Sequence, residues 1–191
     1  MTRSLEMSDS KKTLHIWLYL HDDTSNMSLI SLGDDYLIPL KNELLSFIDL
    51  DVRFIIDNTH TPGVTDFNYK IGPEEAVAEW RERLQAHDLI TPGLHKYLLV
   101  TRDDLDFTTK GIAENEGQVG IASITTYMAI GHEVGHMLGT IHEDAETFFE
   151  GGWWKDSYTK SYNPLKGNAH RYSDANRRNI KRHLATLTRE S

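Results

Sequence analysis

His132-Glu133-Val134-Gly135-His136-Met137-Leu138-Gly139-Thr140-Ile141-His142-Glu143 is the stretch on which the rest of the chain depends. On an α-helix His132 and His136 stand one turn apart on one face, so two imidazoles can bite a single metal ion. Glu133 lies about 100° further round the helix. From there its carboxylate can reach a water on the metal without occupying a ligand position. Gly139, which has no Cβ, can adopt positive φ, end the helix and turn the chain back. That turn can bring His142 in as a third nitrogen ligand. Three protein ligands and one open position are the arrangement of a catalytic zinc rather than a closed structural one. The plain alternative is a helix with surface histidines and a glycine C-cap. A bare HExxH arises by chance in about one chain in fifty of this size, and the added glycine and histidine make chance about 400-fold rarer.

Composition sets the frame. The 191 residues are 39% apolar and 26% charged, which suits one ordinary soluble domain with a real core. The formal net charge is −9, so nucleic acid and anionic membrane surfaces are poor partners. With no cysteine, neither a disulfide framework nor a thiolate metal site is possible. No stretch has the length of a membrane span, and the opening MTRSLEMSDSKK lacks the apolar core of a signal peptide. The expected location is outside the producing cell, reached without a cleaved signal. Cytoplasmic residence, or origin as a fragment of a larger secreted protein, is the alternative.

Upstream of the motif the pattern alternates between strand and helix. Residues 1–12 are polar and expected to fray. Thr13 to Leu20 is apolar on both faces and reads as an inner strand; its histidine His15, and His21 beyond it, are expected to be packed or solvated. His21 to Asp35 reads as a polar loop. Tyr36 to Ile48 has helical spacing, capped by Asp34 or Asp35, with Pro39 tolerable only in the first turn. Val52 to Asp57 is a second strand. A helix opens at Pro73-Glu74-Glu75, with Ala76, Val77, Trp80 and Leu84 as its buried stripe. Lys96 to Thr101 is a third strand, and short strands are expected at Lys110 to Glu114 and Val119 to Ile124. This order implies an α/β (α+β) fold with a twisted, mostly parallel sheet. Ile124, Met128, Val134, Met137, Leu138 and Ile141 supply an apolar side for the motif helix. Beyond His142 regular structure looks sparse, and Trp153 and Trp154 after Gly151-Gly152 are expected to form a small core rather than wall a cleft. Ser173 caps a closing helix to Thr188 with Ile180, Leu184 and Leu187 inward and basic residues outward.

HExxHxxGxxH resembles the metzincin clan of zinc endopeptidases. The resemblance implies a single two-lobed catalytic domain over residues 13–191, with an upper lobe of about 13–139, a lower lobe of about 140–191, and a zinc helix flooring the cleft between them. It implies one catalytic Zn2+ held by His132, His136 and His142, with Glu133 as general base. It also implies an antiparallel edge strand that pairs with extended substrate, here matched by Gly111-Ile112-Ala113. The partner so implied is a protein or peptide substrate, cut by a monomer. Metzincins carry a methionine in a turn beneath the zinc, but all methionines here precede His142. Ser161-Tyr162-Asn163-Pro164 resembles the reprolysin turn, with Tyr162 in the methionine's place, either packed under the metal or serving an oxyanion. Glu143 after the third histidine resembles astacins, where such an acid anchors structure. Specificity in the clan comes from a pocket beside this turn, for which Leu165, Lys166 and Gly167 are the candidate lining.

The implied chemistry is hydrolysis of an internal peptide bond, with Glu133 moving the proton from water to the leaving amine. Two further readings remain open: a metal-dependent binding module or toxin with little turnover, and a structural zinc site that clamps two lobes.

Overall fold

Five strands form one sheet in the order β2-β1-β3-β5-β4, and all neighbours are parallel except β4 against β5. The strands are β1 (Thr13–Leu20), β2 (Asp51–Asp57), β3 (His95–Thr101), β4 (Gly111–Ala113) and β5 (Val119–Ser123). This computed structural model describes residues 11 to 190. The expected polar N-terminal segment therefore lies largely outside the described residues. Its last member, Lys12, is held: its carbonyl accepts from Asp51 N–H at 2.9 Å and its ammonium donates to the Thr188 carbonyl at 2.7 Å.

The central strands are apolar on both faces because the sheet separates two cores. On one side Leu14, Ile16, Leu18, Leu98 and Val100 pack with helices α2 (Ile38–Leu45), α4 (Ala129–Met137) and α5 (Asp174–Glu190). On the other side Tyr19, Tyr97, Leu99 and Ile121 pack with Ala76, Trp80 and Leu84 of α3 (Pro73–Ala86). Alternate residues of a strand point to opposite faces, so one strand serves both layers. Ile180 and Leu184 of α5 join the first core, as do Tyr158 and Tyr172, so the chain after residue 140 shares its packing with the sheet.

Two sequence expectations are corrected here. Helical structure does not begin at Tyr36. It begins at α1 (Leu29–Leu32), where the Ser28 side chain accepts from Ser31 N–H, and runs through a π turn (Gly33–Leu37) directly into α2. Pro39 therefore lies well inside a helical run. The π turn accommodates it: Ile38 N–H reaches back five residues to the Gly33 carbonyl, widening the turn before the residue that has no N–H to give. The second correction is that regular structure after His142 is not sparse. β6 (Thr147–Glu150), β7 (Trp153–Asp156) and β8 (Gly167–Asn168) make a separate three-stranded sheet. Trp153 and Trp154 follow the turn of its hairpin and are both exposed rather than forming a core. Strand pairing sets Trp154 against Phe149, rings 5.1 Å apart, and both remain more than half exposed. The closing helix is as expected, with Ser173 Oγ accepting from Asn176 N–H at 3.1 Å. Among the described residues no helix is long and apolar enough to cross a membrane.

Candidate metal centre

α4 is nine residues long and packs Ile130, Val134 and Met137 inward, which fixes the face carrying His132 and His136. The helix stops at Leu138. Gly139 has φ of 93° and its N–H returns to the His136 carbonyl at 2.9 Å, the left-handed turn expected of a residue without Cβ. After that turn His142 opens a short 3-10 segment (His142–Asp144). Its position is dictated from α5. Asn176, fully buried, accepts from Ile141 N–H at 2.9 Å and donates to the Ile141 carbonyl at 3.0 Å. Asn179 donates to the Asp144 carboxylate at 2.7 Å, and the Ser173 hydroxyl donates to the Asp144 carbonyl.

The three rings converge. His132 and His136 Nε2 are 2.9 Å apart, and His142 Nε2 lies 3.0 and 2.9 Å from them. His132 Nδ1 faces the Tyr158 carbonyl at 2.8 Å, and His136 Nδ1 faces the Thr140 carbonyl at 2.9 Å. A carbonyl only accepts, so the proton of each neutral ring sits on Nδ1 and Nε2 turns a lone pair toward its neighbours. Burial, then the neighbouring His136 and His142, pulls the His132 pKa down to about 3, and burial also lowers that of His136. Bare nitrogens at these separations repel unless a cation lies among them. Nitrogens bound to one ion at about 2.0–2.1 Å must lie within about 4 Å of one another, and these do. His132, His136 and His142 thus form a donor set fitted to one metal ion.

Glu133 is only 4% exposed. Burial pushes its carboxyl well above the usual carboxylate range. The acid fits because Gly111 faces it: a Cβ on Gly111 would stand 2.6 Å from Glu133 Oε1 and 2.7 Å from the Ile121 carbonyl. Gly111 is the first residue of β4, so the edge strand and the acid meet through the missing side chain.

Two cavities share Gly111, His132, Glu133 and His142. The larger, about 440 Å³, extends along Gly111, Ile112, Ala113 and Asn115 toward Glu143. The smaller, about 220 Å³, runs the other way past Thr108, Lys110, Lys160, Ser161 and Tyr162. Gly111, Ile112 and Ala113 thus form an antiparallel edge strand along the larger cavity. Ile141, expected on the buried side, is exposed and lines the larger cavity because Asn176 holds its backbone and turns its side chain outward. Glu143 also lines that cavity and makes no anchoring contact among the described residues.

Tyr162 does not pack beneath the histidines. It is 50% exposed, lines the smaller cavity, and carries Lys110 Nζ over its ring at 4.9 Å. The support beneath the histidines is Tyr158, buried against Gly131, with Tyr172 behind it donating to the Gly131 carbonyl at 2.6 Å. Leu165 is 79% exposed and lines neither cavity. Lys166 is turned to Asp156 at 3.2 Å, and Gly167 lies in β8. The lining comes instead from Lys110, Lys160 and Ser161. Tyr158, Lys160 and Asn176 were missed because their roles rest on backbone atoms or on chain brought from far away; only the aromatic at 158 in a polar stretch offered a hint. His15 and His21 lie apart from this centre, His15 stacked on His95 and His21 capping the turn after β1.

No family model and no curated protein matches the sequence. Among solved structures the chain is similar to metalloproteinase-II from Bacteroides fragilis, at 16% identity and a TM-score of 0.66, covering 91% of this chain and 53% of that one. The chain thus spans about half the length of that structure. The fold described above, a mostly parallel sheet with an antiparallel sheet and a C-terminal helix, is similar to the fold of that metalloproteinase.

Proposed function

We propose that this chain is a zinc-dependent endopeptidase of metzincin type, acting on extended protein or peptide segments. The observation that carries the reading is the convergence of three Nε2 atoms, two with Nδ1 tied to carbonyls, beside an acid shared by two cavities. The likeness in fold to a metalloproteinase supports it. Zinc is favoured because three imidazoles and an open position suit that ion.

When bound, such an ion acts as a Lewis acid on a substrate carbonyl and makes a water acidic near neutral pH. The other steps belong to the protein. β4 offers its free edge between the two cavities, so an extended segment can add as an antiparallel strand across Glu133. Glu133 takes a proton from the attacking water and delivers it to the amine nitrogen as the C–N bond breaks, giving a carboxylate and a free amine. A buried carboxyl with a high proton affinity suits that shuttle, and an ion held by His132, His136 and His142 would favour its ionised form. Tyr162, at the rim of the smaller cavity, is within the group that could steady an oxyanion.

The deciding variant is Glu133→Ala. It should keep its metal, measured by elemental analysis, while cleavage of a peptide mixture disappears. Cleavage at the parent rate by this variant would remove the proposal. Metal that no hydroxamate can reach would instead favour a structural clamp.

A further inference from the structure

The two cavities differ in charge. The larger is bordered by Glu143, whose carboxylate has no basic partner among the described residues. The smaller is bordered by two lysines in different states. Lys110 is neutralised, its ammonium 2.8 Å from Asp104, which also accepts from Ser123 at 2.6 Å. The Lys160 ammonium has neither ion pair nor hydrogen bond among the described residues, although the residue is half-buried and lines the cavity. Thr108 and Thr109 spend their hydroxyl protons on Asp106 at 3.1 and 3.0 Å. The donors left over are the nearly buried Thr126 hydroxyl and Lys160, Ser161 and Tyr162, three consecutive residues on one wall. No carboxylate other than Glu133 borders this cavity.

β4 also fixes which part of a substrate meets that wall. An antiparallel segment has its carboxyl-terminal side beside the start of β4, next to Lys110 and the smaller cavity. Its amino-terminal side lies beside Ala113 and Asn115, in the larger one.

We propose, resting on the peptidase reading, that Lys160 is a specificity-determining residue and that the smaller cavity admits an acidic side chain. Cleavage then falls on the amino side of Asp or Glu. A carboxylate there accepts from Lys160 and from the adjacent hydroxyls, and the catalytic Glu133 is the one acid it meets on the lining. An aliphatic side chain would leave the ammonium crowded and unpaired, and a basic one would meet like charge.

The test reads cut sites by mass spectrometry in a peptide mixture treated with the metal-loaded chain. Asp and Glu should be favoured over Leu and Lys after the cut bond by about tenfold. Lys160→Met should flatten that ratio, and Lys160→Glu should move it toward Lys and Arg. A second arm measures fluorescence anisotropy of Glu-, Leu- and Lys-containing peptides on the Glu133→Gln chain. There the Glu peptide should bind tightest and weaken with salt. A preference for apolar residues, or an acidic preference unchanged in Lys160→Met, overturns the inference. If no peptide is cut, the peptidase reading fails and the binding arm decides alone: selective, Lys160-dependent binding of the acidic peptide upholds the site, and equal binding rejects it.

Discussion

The histidine set and its acid differ in what they require of their neighbours. A ligand can be deleted cleanly, and His142→Ala should cut metal affinity by about a hundredfold or more while leaving the fold. Metal-dependent elevation of Tm, about 2–4 kcal/mol of stabilisation at saturating ion, should shrink accordingly; an unaltered Tm response would show that His142 is not a ligand. Glu133 depends on a gap. Gly111→Ala puts a methyl 2.6 Å from its carboxylate and 2.7 Å from a strand carbonyl, neither of which can retreat freely. Cleavage should fall by about 10–100-fold with metal content unchanged. Elemental analysis alongside initial rates checks both halves, and retained activity would mean the acid need not sit where it does. At this scale the sequence was informative. His132, Glu133, His136 and His142 are named by spacing alone, because helical geometry and one glycine turn are local.

Elements hold the centre from outside the motif. α5 grips Ile141 through Asn176, and α2 grips the segment beneath the histidines through Glu43. The Glu43 carboxylate is buried and accepts from Tyr172 N–H at 2.8 Å and from Arg177 at 2.9 and 2.7 Å. Asn176→Leu keeps volume but removes both hydrogen bonds to Ile141, so metal affinity should drop by about 10–100-fold, as for other groups that orient a ligand. Competition with a chromogenic chelator measures it, and wild-type affinity would contradict the positioning role. Glu43→Ala strands the buried Tyr172 N–H and takes the nearer carboxylate from the quarter-exposed Arg177, which should cost about 1–3 kcal/mol in urea unfolding. Strands and the closing helix were legible because their periodicities are plain. The π turn was not, because Pro39 is normally a boundary signal and only the widened turn before it lets the helix continue. The second sheet escaped notice because its strands are two to four residues long and their pairing is non-local.

For the molecule as a whole, the buried Lys96 gives a pH signature. It is 1% exposed and donates to the Gly117 carbonyl at 2.6 Å, with His183 of α5 at 3.3 Å. Burial lowers its pKa from 10.5 to about 8. The unfolded chain therefore holds this proton more tightly, so its contribution to stability is complete above about pH 10.5 and is lost as pH falls through 8. Relative to Lys96→Met, the parent should gain about 2 kcal/mol between pH 7.5 and 9.5 in urea unfolding. A pH-independent difference would mean that the lysine is not desolvated. What the sequence alone determined is the local part: the ligand spacing, the base, the glycine turn and the alternation of strand and helix. Each of these follows from the geometry of a few successive residues. Only the tertiary structure decided that Tyr158 rather than Tyr162 supports the histidines, that Leu165 stands apart from the cleft, and that Lys160 has no counter-ion among the described residues. Those outcomes depend on which distant backbone atoms and charges come to lie side by side, and contacts of that kind leave no periodic trace in the order of the residues.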